Sequence, residues 1–373
     1  MNRIAVDRRA VRWRAGTGVA RYRTGLADAL ARLPVAVEPI GDGGDAAARA
    51  GWCDVPRLLH GRVTATRADA GWLVPDLYRL AQRRFTVTGA LTRLTLPDAP
   101  AIVHWSHPMP IEVVGAANVY AVHDLIPLTD PGLTGIRAER QRRLLDRLAE
   151  VAAQFVTVSE TTATDLCRLI PHARDRVTCC YQAVDPGPRG AVPPGLVPGA
   201  YLLAIGRVES RKNIEALLRA HRHADTGLPL VIAGPDGHWR DAAARRRVEA
   251  LIAAPDVIRI GWQDDATIAA LIANACALLM PSLAEGFGLP VVEAMALGVP
   301  ALASAGGAAA EIAGDAALLV DPHDPTALAA AVQRIATDAD LRARLVAAGR
   351  RRADDLTPER FAARLAALYE RLW

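Results

Sequence analysis

Short apolar runs alternate with amphipathic stretches along most of the chain, and the alternation breaks once and then restarts. Strands alternating with helices argue for a parallel sheet covered on both faces, since each crossover helix lies against the sheet. In the first part, Ile4-Ala5-Val6 reads as a short strand. Val19 to Leu33 follows as a helix, with Val19, Tyr22, Leu26, Ala29, Leu30 and Leu33 at helical spacing. Strand-like runs lie at Ala101–His104, Asn118–His123 and Gln154–Ser159. Ile136–Val151 reads as an amphipathic helix, with Leu144, Leu145, Leu148 and Val151 on one side and Arg137, Arg140, Arg143 and Arg147 elsewhere. Ser159 is placed to cap a helix over Glu160–Leu169.

The break is Asp185–Gly199, DPGPRGAVPPGLVPG. Proline and glycine at this density exclude a helix or a central strand, so the stretch reads as a linker. Beyond it, strands at Tyr201–Ile205, Pro229–Ala233, Val257–Ile260, Ala277–Met280, Val299–Ala303 and Ala317–Val320 resume the alternation. The helices between them are Asn213–His221, Arg240–Ala254, Asp265–Asn274 and Leu289–Leu297. Helices over Pro325–Ala336, Ala339–Arg351 and Pro358–Leu372 complete the chain. The expectation is an α/β protein of two Rossmann-like domains with parallel sheets facing across a cleft. The first spans residues 1–185, the linker 186–199, the second 200–355, and a terminal helix 356–373. A length of 373 residues suits two domains, at roughly 100–200 residues each. Ligands of such an architecture bind beyond the carboxyl ends of the strands.

Composition excludes several classes. With 51% hydrophobic and 23% charged residues the chain is neither disordered nor fibrous. Its five cysteines are odd in number and lack CxxC spacing. That excludes a disulfide scaffold or zinc ribbon and fits a reducing cytoplasm. The start, MNRIAVDRRAVRWRAG, has no apolar core of a signal peptide. The longest uncharged run, Ala266 to Ala284, contains Asn274 and Pro281 and reads as a buried helix and strand rather than a membrane span. Residues 1–190 hold 25 arginines against 19 acids, whereas 191–373 hold 19 basic residues against 21 acids. The basic front half suits anionic lipid or phosphate-bearing ligands, or is simply solvated surface. Of 44 basic residues only Lys212 is lysine, so Lys212-Asn213 stands out.

Two motifs carry chemistry. In the first, PSLAEGFGLPVVEA over 281–294, a buried strand ends, a glycine turn follows and a helix starts near Leu289. Free amides at a helix start suit a diphosphate. Glu285 lies in the turn and Glu293 in the helix, and carboxylates accept hydrogen bonds from sugar and ribose hydroxyls. The second motif, GRVESRKN over 206–213, leaves strand 201–205 and enters a helix. Arg207 can pair with phosphate bidentately, and Lys212 adds a point charge. Taken singly, each motif also reads as an ordinary surface turn. A third signal is His123 in VHDLIP at a strand end, with Asp124 beside it to hold the imidazole or cap the turn. Alone, such a histidine is as readily structural. His104, Trp105 and His107 lie at another strand end, on the same presumed ligand side.

With seven residues between Glu285 and Glu293, the first motif resembles that of the retaining family 4 glycosyltransferases, and Gly206–Asn213 resembles their phosphate-binding segment. The order matches as well: glycine loop, histidine strand end, linker, Arg/Lys loop, two-glutamate element. The resemblance implies the GT-B fold, with an acceptor-side first domain, a nucleotide-sugar-binding second domain and a terminal helix packed back on the first. It assigns Arg207 and Lys212 to the donor diphosphate and its departure, Glu285 to sugar hydroxyls and Glu293 to the ribose. It brings the backbone of Phe287, Gly288 and Leu289 to the sugar and phosphates. Gly16 and Gly18, in GTGVARY, form the loop that closes on the phosphate, and His123 lies beside the sugar. Trp262 and Gln263, in GWQDD, stand where family members often meet the base.

The implied reaction is a retaining hexosyl transfer without cofactor or metal, in which cations and helix amides absorb the charge of the leaving diphosphate. Asp338-Ala339-Asp340 is the one Asp-x-Asp with family-like spelling, and it reads as a helix cap. The stretch HDLIPL over 123–128, with the Arg-rich helix after it, is similar to bacterial mannosyltransferases of polysaccharide assembly. That favours GDP-mannose over a UDP- or dTDP-sugar, and a glycan or lipid-linked oligosaccharide as acceptor. A cytoplasmic protein is expected, with peripheral contact to the anionic inner face of the membrane as one reading and no nucleic-acid partner. An epimerase would not account for the two glutamates. A pyridoxal-dependent phosphorylase would need a second lysine, and a dehydrogenase a third glycine after the first strand. A non-catalytic nucleotide- or glycan-binding module is the remaining rival.

Overall fold

The computed structural model describes residues 2–8, 18–42, 60–239 and 241–373. Gly16 therefore lies outside the described residues. The chain divides into two units. The first comprises Met1–Leu128, Arg137–Ala183 and Pro358–Trp373; the second comprises Thr129–Ile136 and Val184–Thr357.

The first unit is built on an eight-stranded sheet. Its order is Val177–Cys179, Ala152–Thr157, Ala117–Val122, Ile102–Trp105, Asn2–Arg8, Val35–Gly41, Gly71–Leu73, Thr66–Ala68. All neighbours are parallel except the last pair. Both faces of the central strands are covered, and Ile102–Trp105 is buried at every position. Asn2–Arg8 is the turning point: strands that follow it in sequence lie on both its sides, Val35–Gly41 on one and Ile102–Trp105 on the other. Trp72, Tyr78, Phe85, Trp105, Tyr120 and Phe155 fill one core. Ser159 caps Glu160–Leu169, accepting the Thr162 amide. The terminal helix Pro358–Tyr369 belongs to this unit. It buries Phe361, Leu365, Leu368 and Tyr369, sets Phe361 edge-on to Tyr22 and pairs Glu359 with Arg32.

The sequence pattern missed the strand Val35–Gly41, the helix Leu77–Thr88 and a small sheet of Arg62–Thr64, Thr92–Thr95 and Ile111–Val113. Pro39 speaks against a central strand, and the strands of the small sheet, three or four residues long, are too short to show a period.

The second unit holds six parallel strands in the order Val257–Gly261, Leu230–Ala233, Leu202–Ile205, Ala277–Met280, Ala301–Ser304, Ala317–Val320. Numbered along the chain this is 3-2-1-4-5-6, the dinucleotide-fold order, and it reverses between Leu202–Ile205 and Ala277–Met280. Successive residues serve opposite faces. Leu203, Val231 and Leu278 enter one core, and Leu202, Ile232 and Leu279 the other. The Pro/Gly-rich stretch forms no helix or strand, yet it is not a free tether. Gly190 and Gly199 donate their amides to Ala266 and Asn274, which ties it to the second unit.

Candidate active site

In a doubly wound sheet, ligands bind where the strand order reverses, beyond the carboxyl ends. In the second unit the two loops leaving that point are Gly206–Asn213 and Pro281–Gly288, the two motifs marked in the sequence. Backbone geometry brings them together. Gly206 has φ +133°, and a Cβ there would lie 3.0 Å from Lys212 Cε. Gly234 (φ +147°) backs onto it, and a Cβ there would lie 2.0 Å from the Gly206 carbonyl oxygen. Ser210–Lys212 forms a 3-10 turn that ends in Asn213, left-handed at φ 56°. The Asn213 amide side chain donates to the Pro322 carbonyl at 2.8 Å. The Leu283 amide donates to the Arg211 carbonyl at 2.8 Å, joining one loop to the other.

Side chains complete the link. Lys212 Nζ donates to Glu285 Oε1 at 2.5 Å, and Arg211 Nη1 donates to Glu285 Oε2 at 3.0 Å and to the Ala284 carbonyl at 3.1 Å. Arg211 also pairs with Glu209. The Glu285 side chain is only 10% exposed. Burial alone would raise its pKa; Lys212 and Arg211 override that and hold it at about 2. Arg207 is exposed and makes no hydrogen bond or ion pair among the described residues. The loop thus holds one exposed guanidinium, Arg207, and two cations committed to the Glu285 carboxylate.

Gly288, at φ 101°, turns the chain into the helix Leu289–Ala296, with Pro290 in its first turn. Phe287 is buried, and Glu293 lies inside the helix at 3% exposure. Trp262 follows the strand Val257–Gly261 at 43% exposure. Gln263 donates its amide to the Ile260 carbonyl at 2.8 Å.

His123 and Gly18 belong to the first unit. Gly18 is exposed and opens the helix Gly18–Ala31. His123 Nε2 lies 2.7 Å from the Ser106 carbonyl, and the ring meets Tyr22 edge-on at 4.8 Å. Burial lowers its pKa and keeps the ring neutral at pH 7. Asp124 accepts the Ile126 amide and so caps the turn. His104 and Trp105 do not lie toward a ligand, as the strand end suggested. Both are fully buried. His104 lies between the Tyr22 and Tyr369 hydroxyls, at 3.1 and 2.6 Å, and burial pushes its pKa down to about 3. Trp105 stacks on Tyr120 and donates to Asn118.

Sequence reasoning overlooked Arg211. It stood inside the motif, but spacing alone did not show that a 3-10 turn aims it with Lys212 at one carboxylate. Among the described residues, no group of three or more His, Cys, Asp or Glu is arranged to hold a metal. Asp338 accepts the Leu341 amide at 2.8 Å and is a helix cap.

Known proteins match this arrangement. The family model described as Glycosyltransferase Family 4 matches residues 16–187, and that described as Glycosyl transferases group 1 matches 197–352. The O-antigen chain mannosyltransferase B of Escherichia coli is 31% identical over 207 residues, 52% of this chain and 54% of that protein. The match thus spans about half the length of this curated relative. Sucrose-phosphate synthase of Thermosynechococcus elongatus shares the fold with a TM-score of 0.74 and 22% identity, covering 100% of this chain and 99% of that one. HepE of Anabaena, solved with UDP and glucose, has a TM-score of 0.71 and 15% identity, covering 99% and 100%. The fold is GT-B, two Rossmann-like domains in one chain. The chain belongs to the family 4 glycosyltransferases.

Proposed function

We propose that this protein transfers a hexose from a nucleotide sugar to a glycan or lipid-linked oligosaccharide with retention of configuration. The observation that carries this reading is the Lys212–Glu285–Arg211 cluster at the point where the strand order reverses. Breaking a glycosyl–phosphate bond builds negative charge on the diphosphate and positive charge on the ring. Arg207, Lys212 and the amides opening Leu289–Ala296 answer the first. When a diphosphate takes Lys212, Glu285 keeps Arg211 as a partner and frees an oxygen for a sugar hydroxyl. The family pattern gives Glu293 to the ribose, Trp262 to the base and His123 to a sugar hydroxyl. The acceptor hydroxyl attacks on the leaving-group face, and its proton passes to a diphosphate oxygen.

Mannose from GDP-mannose is the favoured donor, supported by the mannosyltransferase relative. A thermal-shift panel of nucleotide sugars tests it, since a bound ligand raises stability with its occupancy. GDP-mannose is expected to shift the melting temperature most; a shift with UDP- or dTDP-sugars alone overturns the donor. Glu285→Ala is expected to abolish transfer, and undiminished transfer by it would point to a binding module. Because the cations serve the leaving group, EDTA is expected to leave turnover unchanged; a loss restored by a divalent ion contradicts this.

We also propose cytoplasmic action at an anionic membrane surface. Among the described residues no helix is long and apolar enough to cross a membrane. The helix Leu77–Thr88 carries three arginines and no acid, and Ala138–Ala149 four arginines and two acids. Arg140 and Arg143 lie over the Phe85 ring, and Val87 projects from the same helix at 80% exposure. Arginines around an exposed aliphatic side chain suit anionic headgroups. Vesicles containing anionic lipid should sediment the protein at low salt and release it at high salt; no binding at low salt removes this part.

A further inference from the structure

The first unit has its own point of strand reversal, between Asn2–Arg8 and Ile102–Trp105, and a buried carboxylate stands at it. Asp7, near the end of its strand, is 5% exposed. Its Oδ1 accepts the Ser106 amide at 2.6 Å and its Oδ2 accepts the Ser106 hydroxyl at 2.7 Å. Ser106 is thereby held by main chain and side chain at once, and its carbonyl accepts from His123 Nε2 at 2.7 Å. A carbonyl oxygen carries no proton, so Nε2 must be the protonated nitrogen. The Tyr22 ring, edge-on at 4.8 Å, restrains the imidazole from the side. In a neutral ring the other nitrogen, Nδ1, is then a bare acceptor. It makes no hydrogen bond among the described residues.

We propose that Asp7 is a positioning residue: through Ser106 it fixes His123 in the Nε2–H form, so that Nδ1 is presented as an acceptor for a substrate hydroxyl. A ring in the other tautomer would offer Nδ1–H, a donor, and would lose its own anchor on the Ser106 carbonyl. The sequence places Asp7 only at a strand end; the link to His123 runs through a residue far from both in the chain. The rate consequence rests on the transferase reading, whereas the tautomer does not.

The test uses Asp7→Ala, Asp7→Asn and Ser106→Ala in the full chain. Side-chain 15N NMR, with His123 assigned by its loss in His123→Asn, reads which nitrogen carries the proton in the absence of substrate. The wild type should show protonated Nε2 and bare Nδ1, and Asp7→Ala a mixture of the two forms. Asp7→Asn should restore the wild-type pattern, since its carbonyl still accepts the Ser106 amide and its NH2 can donate to the hydroxyl. Ser106→Ala keeps the main-chain link and should fall between. Under the transferase reading, kcat should drop about tenfold in Asp7→Ala, the scale of one hydrogen bond, with little change in donor KM. Asp7→Asn should recover most of that loss. If Asp7→Ala does not fold, Asp7→Asn and Ser106→Ala carry the same comparison. A variant that loses the Ser106 link yet keeps the wild-type tautomer, or changes tautomer at undiminished kcat, overturns the proposal. Should no sugar be transferred by any of the proteins, the function proposal fails while the NMR result still decides the tautomer.

Discussion

Glu285 is ionised in spite of its burial, because two cations reach its two oxygens. Its pKa of about 2 lies below the ordinary 4.5. The pair therefore stabilises the folded state fully above pH 4.5, and that contribution is lost as pH falls toward 2. A depression of this size corresponds to roughly 3 kcal/mol. Glu285→Gln is expected to lose stability of that order at pH 7, measured by urea denaturation, because it leaves Lys212 without its counter-charge and Arg211 with Glu209 alone. The gap to the wild type should close in acid. Asp7 has the opposite sign: burial raises its pKa from 3.8 to about 6. Ionising it costs stability as pH rises from about 4 through 6, so Asp7→Asn is expected to melt higher than wild type at pH 7 and no higher at pH 4. Equal melting at pH 7 would show that the carboxylate costs the fold nothing. Glu285 and Lys212 were both marked in the sequence, from a turn and a loop at strand ends, and the structure pairs them. The contacts of Arg211 with Glu285 and of Asp7 with Ser106 were not legible, because they depend on directions that spacing does not carry.

Elements were legible where a period could develop. Leu26, Leu30, Leu144, Leu145 and Leu148, read as the apolar faces of their helices, are all buried. The three- and four-residue strands of the small sheet and the proline-bearing strand were not legible, for want of residues and of a clean pattern. The terminal helix Pro358–Tyr369 shows what an element contributes. Phe361, Leu365, Leu368 and Tyr369 are buried with almost no exposed surface. At about 1.5–3 kcal/mol for each such side chain, their loss is comparable with the whole stability of a domain. A chain ending at Thr357 is therefore expected to lose cooperative melting of the first unit; a fully retained two-transition profile would contradict this packing. Gly234→Ala should be far more damaging than a surface Gly→Ala change. Its Cβ would sit 2.0 Å from a main-chain oxygen, at φ +147°.

For the whole molecule, the repeated strand–helix alternation gave the α/β architecture, and the strand order reverses once in each large sheet, where the candidate residues lie. What the sequence could not give was the fate of the Pro/Gly-rich stretch. Composition marks it as unable to form a helix or strand, but does not show that hydrogen bonds to Ala266 and Asn274 and the packing of Leu196 tie it to the second unit. Under the proposed function, a nucleoside diphosphate is held by Arg207 and Lys212 where the second sheet reverses. Calorimetric titration of GDP, UDP and dTDP into wild type, Arg207→Ala and Lys212→Ala tests it most directly. At least one of these diphosphates should bind the wild type and bind each variant about tenfold or more weakly, as loss of a charge-assisted contact implies. Undiminished affinity in both variants would show that these cations do not hold the diphosphate.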